Sequence, residues 1–254
     1  MQTSIVAVKL GELRPDISLI FPAYNEAGSI SQTIAETVAS FEGWGYGYEI
    51  IVAADGDDGT CEKVAEISRR NPAIRVIGES VRRGKGRGVR EGVALATGEI
   101  IGYADADNKV PISEFAKIRP WLDAGCEVVI GSRALDASRI ERPQPLYRRI
   151  GSKGFALFLH AAVGLPEIAD SQCGFKFFTH AAARELFARQ RIDGYMFDVE
   201  ILVLAKQLGY RIQQVPIRWR DDGDSRLDLV RGNVRNVMDI FRIRAARMRP
   251  GKRP

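Results

Sequence analysis

The stretch Ile100-Ile101-Gly102-Tyr103-Ala104-Asp105-Ala106-Asp107-Asn108 decides how the rest of the chain is read. It opens as a short apolar run, the pattern of a buried strand, and ends in two aspartates one residue apart. In open α/β sheets, ligands gather at the carboxyl ends of the strands. Two carboxylates there offer hard oxygen ligands suited to Mg²⁺ or Mn²⁺. Such ions keep waters and draw further ligands from substrate phosphates, so the pair points to a metal–diphosphate enzyme. Taken alone, the same residues also read as a turn, or as Asp105 capping the next helix.

On either side of this stretch the sequence alternates between two periods. Ile17-Ser18-Leu19-Ile20-Phe21 reads as a strand stopped by Pro22. A helix over about 29–41 follows, with Ile30, Ile34 and Val38 at four-residue intervals. Further strands are expected at 49–54, 73–77 and 127–130, and helices up to Arg70 and near 89–96 and 112–122. This order implies α/β architecture: a Rossmann-like, mostly parallel sheet with helices on both faces. Right-handed crossovers then bring the loops after the strands to one edge. The second half is less regular. An apolar helix is expected at 150–163, a strand at 174–178, helices at 181–189 and 197–208, and a strand at 210–219 with Pro216 near its edge. No Pro/Ser-rich linker or repeat intervenes, so a single domain is expected over 1–254. Its halves are a nucleotide-binding part (about 16–131) and an acceptor part (about 132–226), followed by a basic tail over 227–254.

Bulk properties narrow the class. Chain length permits a full core, and no apolar run approaches the length needed to span a bilayer. The first residues lack the charged and apolar regions of a secretory signal. Cys61, Cys126 and Cys173 have no CxxC spacing, which argues against a disulfide framework or zinc site and for a reducing, cytoplasmic compartment. His160 and His180 are the only histidines, so a His-based metal site or triad is hard to build. The net charge of +5 suits an anionic partner: nucleotide, lipid phosphate, membrane surface or nucleic acid.

Several loops carry candidate chemistry. In Phe21-Pro22-Ala23-Tyr24-Asn25-Glu26, Tyr24 offers a stacking face, and Asn25 and Glu26 offer hydrogen bonds to a base or ribose. In Asp55-Gly56-Asp57-Asp58-Gly59-Thr60, glycines admit a ligand close to the backbone and Asp55 can accept from a base N–H. An EF-hand reading of this loop fails because Thr60 stands where the turn glycine belongs. Arg82-Arg83-Gly84-Lys85-Gly86-Arg87-Gly88 lacks P-loop spacing but suits an anion, through backbone N–H groups and Lys85. Arg133, after Gly131-Ser132, can grip a phosphate bidentately. Asp170-Ser171-Gln172-Cys173-Gly174-Phe175-Lys176 sets a carboxylate, an amide and an ammonium close together, with Cys173 read as a small buried hydrophobe. Asp221-Asp222-Gly223-Asp224, between Trp219-Arg220 and Ser225-Arg226, is either a closing loop or an acidic hairpin. The tail over 229–248 is helical in pattern and amphipathic, with apolar residues interleaved with arginines. It suits an anionic membrane surface, or packing on the core with a solvated basic face.

Together these elements resemble glycosyltransferase family 2, and within it the dolichyl- and polyprenyl-phosphate sugar synthases. The likeness covers about residues 16–226 in the family's order. The Asp170–Lys176 motif is similar to the dolichyl-phosphate glucose branch. The resemblance implies a GT-A fold and inverting transfer from a nucleotide-sugar donor, UDP-glucose ahead of GDP-mannose, to a lipid phosphate acceptor. It further implies that Pro22, Tyr24, Glu26 and Asp55 hold the nucleoside, and that Asp105 and Asp107 hold Mg²⁺ or Mn²⁺ and the diphosphate. Arg133 and Arg226 would meet the acceptor phosphate or the leaving diphosphate. The chain departs from the family at Ala54, where a first aspartate is usual, and at Lys109, where mannosyl members often carry glutamine. The membrane contact would be peripheral, at the cytoplasmic face, through the basic tail or the helix over 150–163. A family-2 enzyme with a soluble or protein-bound acceptor, using Asp170 as base, is the nearest alternative. A nucleic-acid partner is not expected, because no aromatic interrupts 82–90.

Overall fold

The structure is a computed structural model and describes residues 14–140, 159, 162–220 and 231–247. Strands β1 (Ile17–Tyr24), β2 (Tyr48–Asp55), β3 (Ile74–Ile77), β4 (Ile100–Ala104) and β5 (Val128–Ser132) alternate with helices α1 (Ile30–Gly43), α2 (Thr60–Arg70), α3 (Lys85–Leu95) and α4 (Phe115–Asp123). After these come the short strand β6 (Arg139–Ile140), β7 (Phe175–Thr179), α5 (His180–Arg189), α6 (Phe197–Leu208), β8 (Ile212–Pro216), β9 (Arg218–Trp219) and α7 (Arg231–Arg247). Seven strands form one sheet in the order β3-β2-β1-β4-β7-β5-β8, and β6 pairs with β9 separately.

The sheet strands are buried along almost their whole length, as strands covered on both faces are, and successive side chains point alternately into two cores. Ile20, Ile51, Ile101, Tyr103 and Phe178 face a core shared with α3, α5 and α6, which α7 joins through Ile240 and Ile243. Leu19, Phe21, Ile50, Val52 and Phe177 face the opposite core, under α1, α2 and α4. The expected two-faced, mostly parallel sheet is therefore present.

Three elements differ from the sequence reading. Pro22 does not stop β1, which continues to Tyr24 in register with β2. Pairing of β1 with β4 ends at Ile20, so the chain at Pro22 has a ladder neighbour on one side only, where proline is tolerated. Helix α3 starts at Lys85 rather than near Val89, so half of the basic glycine loop is its first turn. Ile217 separates β8 from β9, dividing the expected strand over 210–219. Nearly all of the expected helix over 150–163 lies outside the described residues, as does the 221–224 loop.

One strand breaks the parallel pattern. β7 runs antiparallel to both of its neighbours, β4 and β5. Its first residue therefore lies at the edge where its neighbours end. The motif that precedes β7 lands beside the loops that follow β1, β2, β4 and β5.

Candidate active site

Asp105 and Asp107 lie in the turn after β4. Asp105 N donates to the Gly174 carbonyl at 3.0 Å, which locks the β4 exit to the β7 entry. A Cβ on residue 174 would stand 2.1 Å from Asp105 Oδ2, so only glycine lets that carboxylate lie where it does. Lys85 Nζ reaches Asp105 Oδ1 at 2.6 Å from the first turn of α3. Burial works against the Lys85 ammonium, but Asp105 and Asp198 outweigh it and raise its pKa. Asp107 accepts from Lys109 N at 3.2 Å, an Asx turn of the kind expected of a bare loop, and Lys109 Nζ stands 3.5 Å from its Oδ2. Burial, and then the Asp105 charge, push the Asp107 carboxyl above the usual range.

That repulsion between two partly exposed carboxylates is what a divalent cation would relieve. Among the described residues no group of three or more His, Cys, Asp or Glu forms a complete metal cage. Mg²⁺ does not need one, since it takes one or two carboxylates and completes its shell with water and phosphate. Asp105 and Asp107 fit that donor set.

The residues expected to hold a nucleoside lie at the ends of β1 and β2 and in the loop after β1, next to the basic loop after β3. Tyr24 is covered by the Arg82 guanidinium, 4.4 Å from the ring centroid, and Arg82 also donates to the Tyr195 hydroxyl at 2.7 Å. Asp55 accepts from the backbone N–H of Arg83 at 2.7 Å, so its carboxylate shapes the basic loop. Glu26 accepts from Ser29 Oγ at 2.8 Å, and Glu26 N donates to Thr60 Oγ1 at 2.9 Å, joining the first two loops. Pro22 stands two residues before the end of β1. A small cleft of about 60 Å³ opens between Asp55, Glu79, Arg83 and Arg87. Gly84, at φ +118°, turns the chain into α3, and a Cβ there would meet the Asp193 carbonyl at 2.3 Å.

On the other side, Arg133 follows β5 and forms a fork with Asp170: Nε to Oδ2 at 2.8 Å and Nη2 to Oδ1 at 3.0 Å. Burial would raise the Asp170 pKa, but Arg133 overrides it and holds the carboxyl below the usual range. Trp219 flanks the same guanidinium at 5.7 Å. Cys173 is buried, and burial followed by the Asp170 charge pushes its thiol up to about 12, in keeping with a small buried hydrophobe. Arg226 lies outside the described residues. The sequence reading did not single out Asp198, in the first turn of α6, although it accepts from Lys176 and the Tyr103 hydroxyl. The available signal was an aspartate and Glu200 inside the otherwise apolar run Phe197-Asp198-Val199-Glu200-Ile201-Leu202.

A mixed sheet with its nucleotide-type loops, paired aspartates and arginine fork on one edge defines a GT-A glycosyltransferase. Residues 18–187 match the family model described as Glycosyl transferase family 2, and the chain belongs to that family. It is similar to a dolichyl-phosphate beta-glucosyltransferase of Trichomonas vaginalis, 35% identical over 238 residues, covering 89% of this chain and 70% of that protein. A protein of the same description from Drosophila melanogaster is 33% identical over 90% of this chain and 74% of its own length. Among solved structures, the chain resembles mannosyl-3-phosphoglycerate synthase from Rubrobacter xylanophilus, with TM-score 0.68 and 19% identity, covering 94% of this chain and 77% of that one. It also resembles glucosyl-3-phosphoglycerate synthase from Mycobacterium tuberculosis, solved with Mn²⁺, UDP and glucosyl-3-phosphoglycerate. That likeness has TM-score 0.65 and 21% identity, covering 91% and 80% of the two chains.

Proposed function

We propose that the protein transfers glucose from a nucleoside-diphosphate sugar, UDP-glucose ahead of GDP-mannose, to a dolichyl or other polyprenyl phosphate, with inversion at the anomeric carbon. The relatives' described activity supports the sugar and the lipid. The observation that carries the acceptor class is the Arg133–Asp170 fork. A carboxylate gripped at both oxygens and held below its usual pKa is poorly suited to take a proton from a hydroxyl acceptor. A lipid phosphate arrives ionised and needs no base. Asp170 is then the residue that fixes Arg133, and Arg133 is the cation that meets the phosphate. This weighs against a soluble hydroxyl acceptor with Asp170 as base.

Asp105 and Asp107 would hold Mg²⁺ or Mn²⁺, which when bound offsets charge building on the leaving diphosphate. Pro22, Tyr24, Glu26 and Asp55 bound the nucleoside place, with Lys85 at the diphosphate. One acceptor phosphate oxygen attacks the anomeric carbon as the bond to the diphosphate oxygen breaks, and the arginines hold both anions in line. Arg226 joins them on the resemblance alone. The protein would act peripherally at the cytoplasmic face of a membrane, with α7 as the contact.

The decisive experiment is transfer from radiolabelled UDP-glucose or GDP-mannose to a polyprenyl phosphate in detergent, with Mg²⁺ or Mn²⁺, and product configuration read by NMR. A β-linked lipid-phosphate glucose is the expected product. Donor turnover that ignores added lipid phosphate and follows a soluble hydroxyl acceptor would overturn the reading.

A further inference from the structure

Four charged groups run inward from the sheet edge: Asp105, Lys85, Asp198 and Lys176. Lys85 Nζ stands 2.6 Å from Asp105 Oδ1 and 3.8 Å from Asp198 Oδ2. The other oxygen of Asp198 accepts from Lys176 Nζ at 2.5 Å and from the Tyr103 hydroxyl. Lys176 also donates to the Cys173 carbonyl at 2.6 Å. Lys176 is fully buried and Asp198 nearly so, and buried charges of this kind persist only when paired. The inner pair is therefore fixed. The outer member, Lys85, carries its ammonium on a four-carbon stem between two carboxylates, close to Asp105 and within 4 Å of Asp198.

Two positive and two negative charges leave the quartet neutral. A bare divalent cation approaching Asp105 must therefore displace the ammonium or sit beside it against like-charge repulsion. A cation arriving with a nucleoside diphosphate brings compensating negative charge. We infer that Lys85 is a built-in surrogate cation that screens Asp105 until metal and nucleotide arrive together, and that Asp198 is the positioning residue that keeps Lys85 in reach once Asp105 is released. The inference rests on the proposed metal role of Asp105 and Asp107. It makes metal affinity and nucleotide affinity reciprocally coupled.

Binding of Mn²⁺ to the full chain, followed by the EPR signal of the free ion with and without UDP or GDP, tests this. Wild type should bind Mn²⁺ weakly alone and much more tightly with the nucleotide. Lys85→Met should tighten nucleotide-free binding by about tenfold, the scale on which a neighbouring opposite charge shifts a carboxylate's equilibrium. It should also shrink the nucleotide-induced gain. The paired change Lys176→Met with Asp198→Asn keeps the buried charge balanced and leaves Lys85 with Asp105 alone. It should weaken Mn²⁺ binding several-fold, an effect that disappears when Lys85→Met is added. Near-UV circular dichroism checks that each variant is folded, and if the buried pair is not, Lys85→Met decides. Unchanged or weaker nucleotide-free binding in Lys85→Met overturns the inference, as does an effect of the buried pair that survives in the Lys85→Met background. Absence of Mn²⁺ binding by every form, even with nucleotide, overturns the metal reading and the inference with it.

Discussion

Asp107 and Asp170 are both carboxylates at one sheet edge, yet their surroundings move them in opposite directions. Burial and the Asp105 charge raise the Asp107 pKa, so its ionised form is unfavourable in the empty protein. A carboxylate raised on folding contributes stability below its unfolded pKa and loses it as pH rises. Asp107→Asn should therefore melt no lower than wild type at neutral pH, and the difference should vanish below about pH 4. The same change should lower kcat on the order of a hundredfold or more, as loss of a group that offsets transition-state charge does. A variant with lower melting temperature and intact turnover would contradict both halves. For Asp170 the sign reverses, because Arg133 holds its carboxyl low. Its stabilisation is present above the unfolded pKa and is lost as pH falls through the folded one. Asp170→Asn should melt below wild type at neutral pH, with the gap closing from about pH 4 downward. Its kinetic loss should fall on KM for the lipid phosphate more than on KM for the donor. Were Asp170 a base, kcat would collapse with both KM values unchanged.

At the scale of elements, the site depends on one strand running against its neighbours. Because β7 is antiparallel, Gly174 meets Asp105 across the sheet edge. Gly174→Ala would place a methyl on the Asp105 carboxylate, so it should reduce transfer at least tenfold, on the pattern of small misplacements in a reacting site. Steady-state rates beside a thermal melt separate this from unfolding, and full activity would show that Asp105 can stand elsewhere. The strands and most helices were legible because short continuous apolar runs feed both cores and period-3.6 apolar stripes face one of them. The direction of β7 was not legible. Phe175-Lys176-Phe177-Phe178 has the same pattern in either direction, and only its neighbours fix the sense. The start of α3 was hidden for a related reason. Gly84, Gly86 and Gly88 read as loop, yet Gly86 and Gly88 sit in the helix, where a Cβ at 86 would meet Phe197 and one at 88 would meet Ala53. Asp198 stood out only as a charge in an apolar run; its role was not legible, because its partners, Lys85, Lys176 and Tyr103, come from separate elements that only the folded sheet brings together.

Across the whole molecule, charge and apolar surface are arranged unevenly. Helix α7 seals one core through Ile240 and Ile243, while Val237, Met238 and Phe241 face outward, Phe241 at 63% exposed. Arg242, 69% exposed, stands beside them and bonds Asp239 at 2.9 Å. None of the described helices is long and apolar enough to cross a membrane. If α7 is the membrane contact proposed above, this outward apolar stripe edged by arginine would bind by apolar insertion plus attraction to anionic lipid. The net charge of +5 would then add long-range attraction that salt should screen, over about 8 Å at physiological ionic strength. Flotation with phosphatidylglycerol vesicles should therefore recover the protein at low salt, less at high salt, and least with neutral vesicles. Phe241→Asp should weaken vesicle affinity at least tenfold, since inserting a phenyl group is worth roughly 1.5–3 kcal/mol. Its melting temperature should hold, because the side chain is mostly exposed. Transfer to a short, detergent-soluble polyprenyl phosphate should be unaffected, whereas transfer to a long-chain acceptor embedded in vesicles should fall with recovery. Equal binding to neutral and anionic vesicles, or a Phe241→Asp protein that floats like wild type, would remove α7 as the contact.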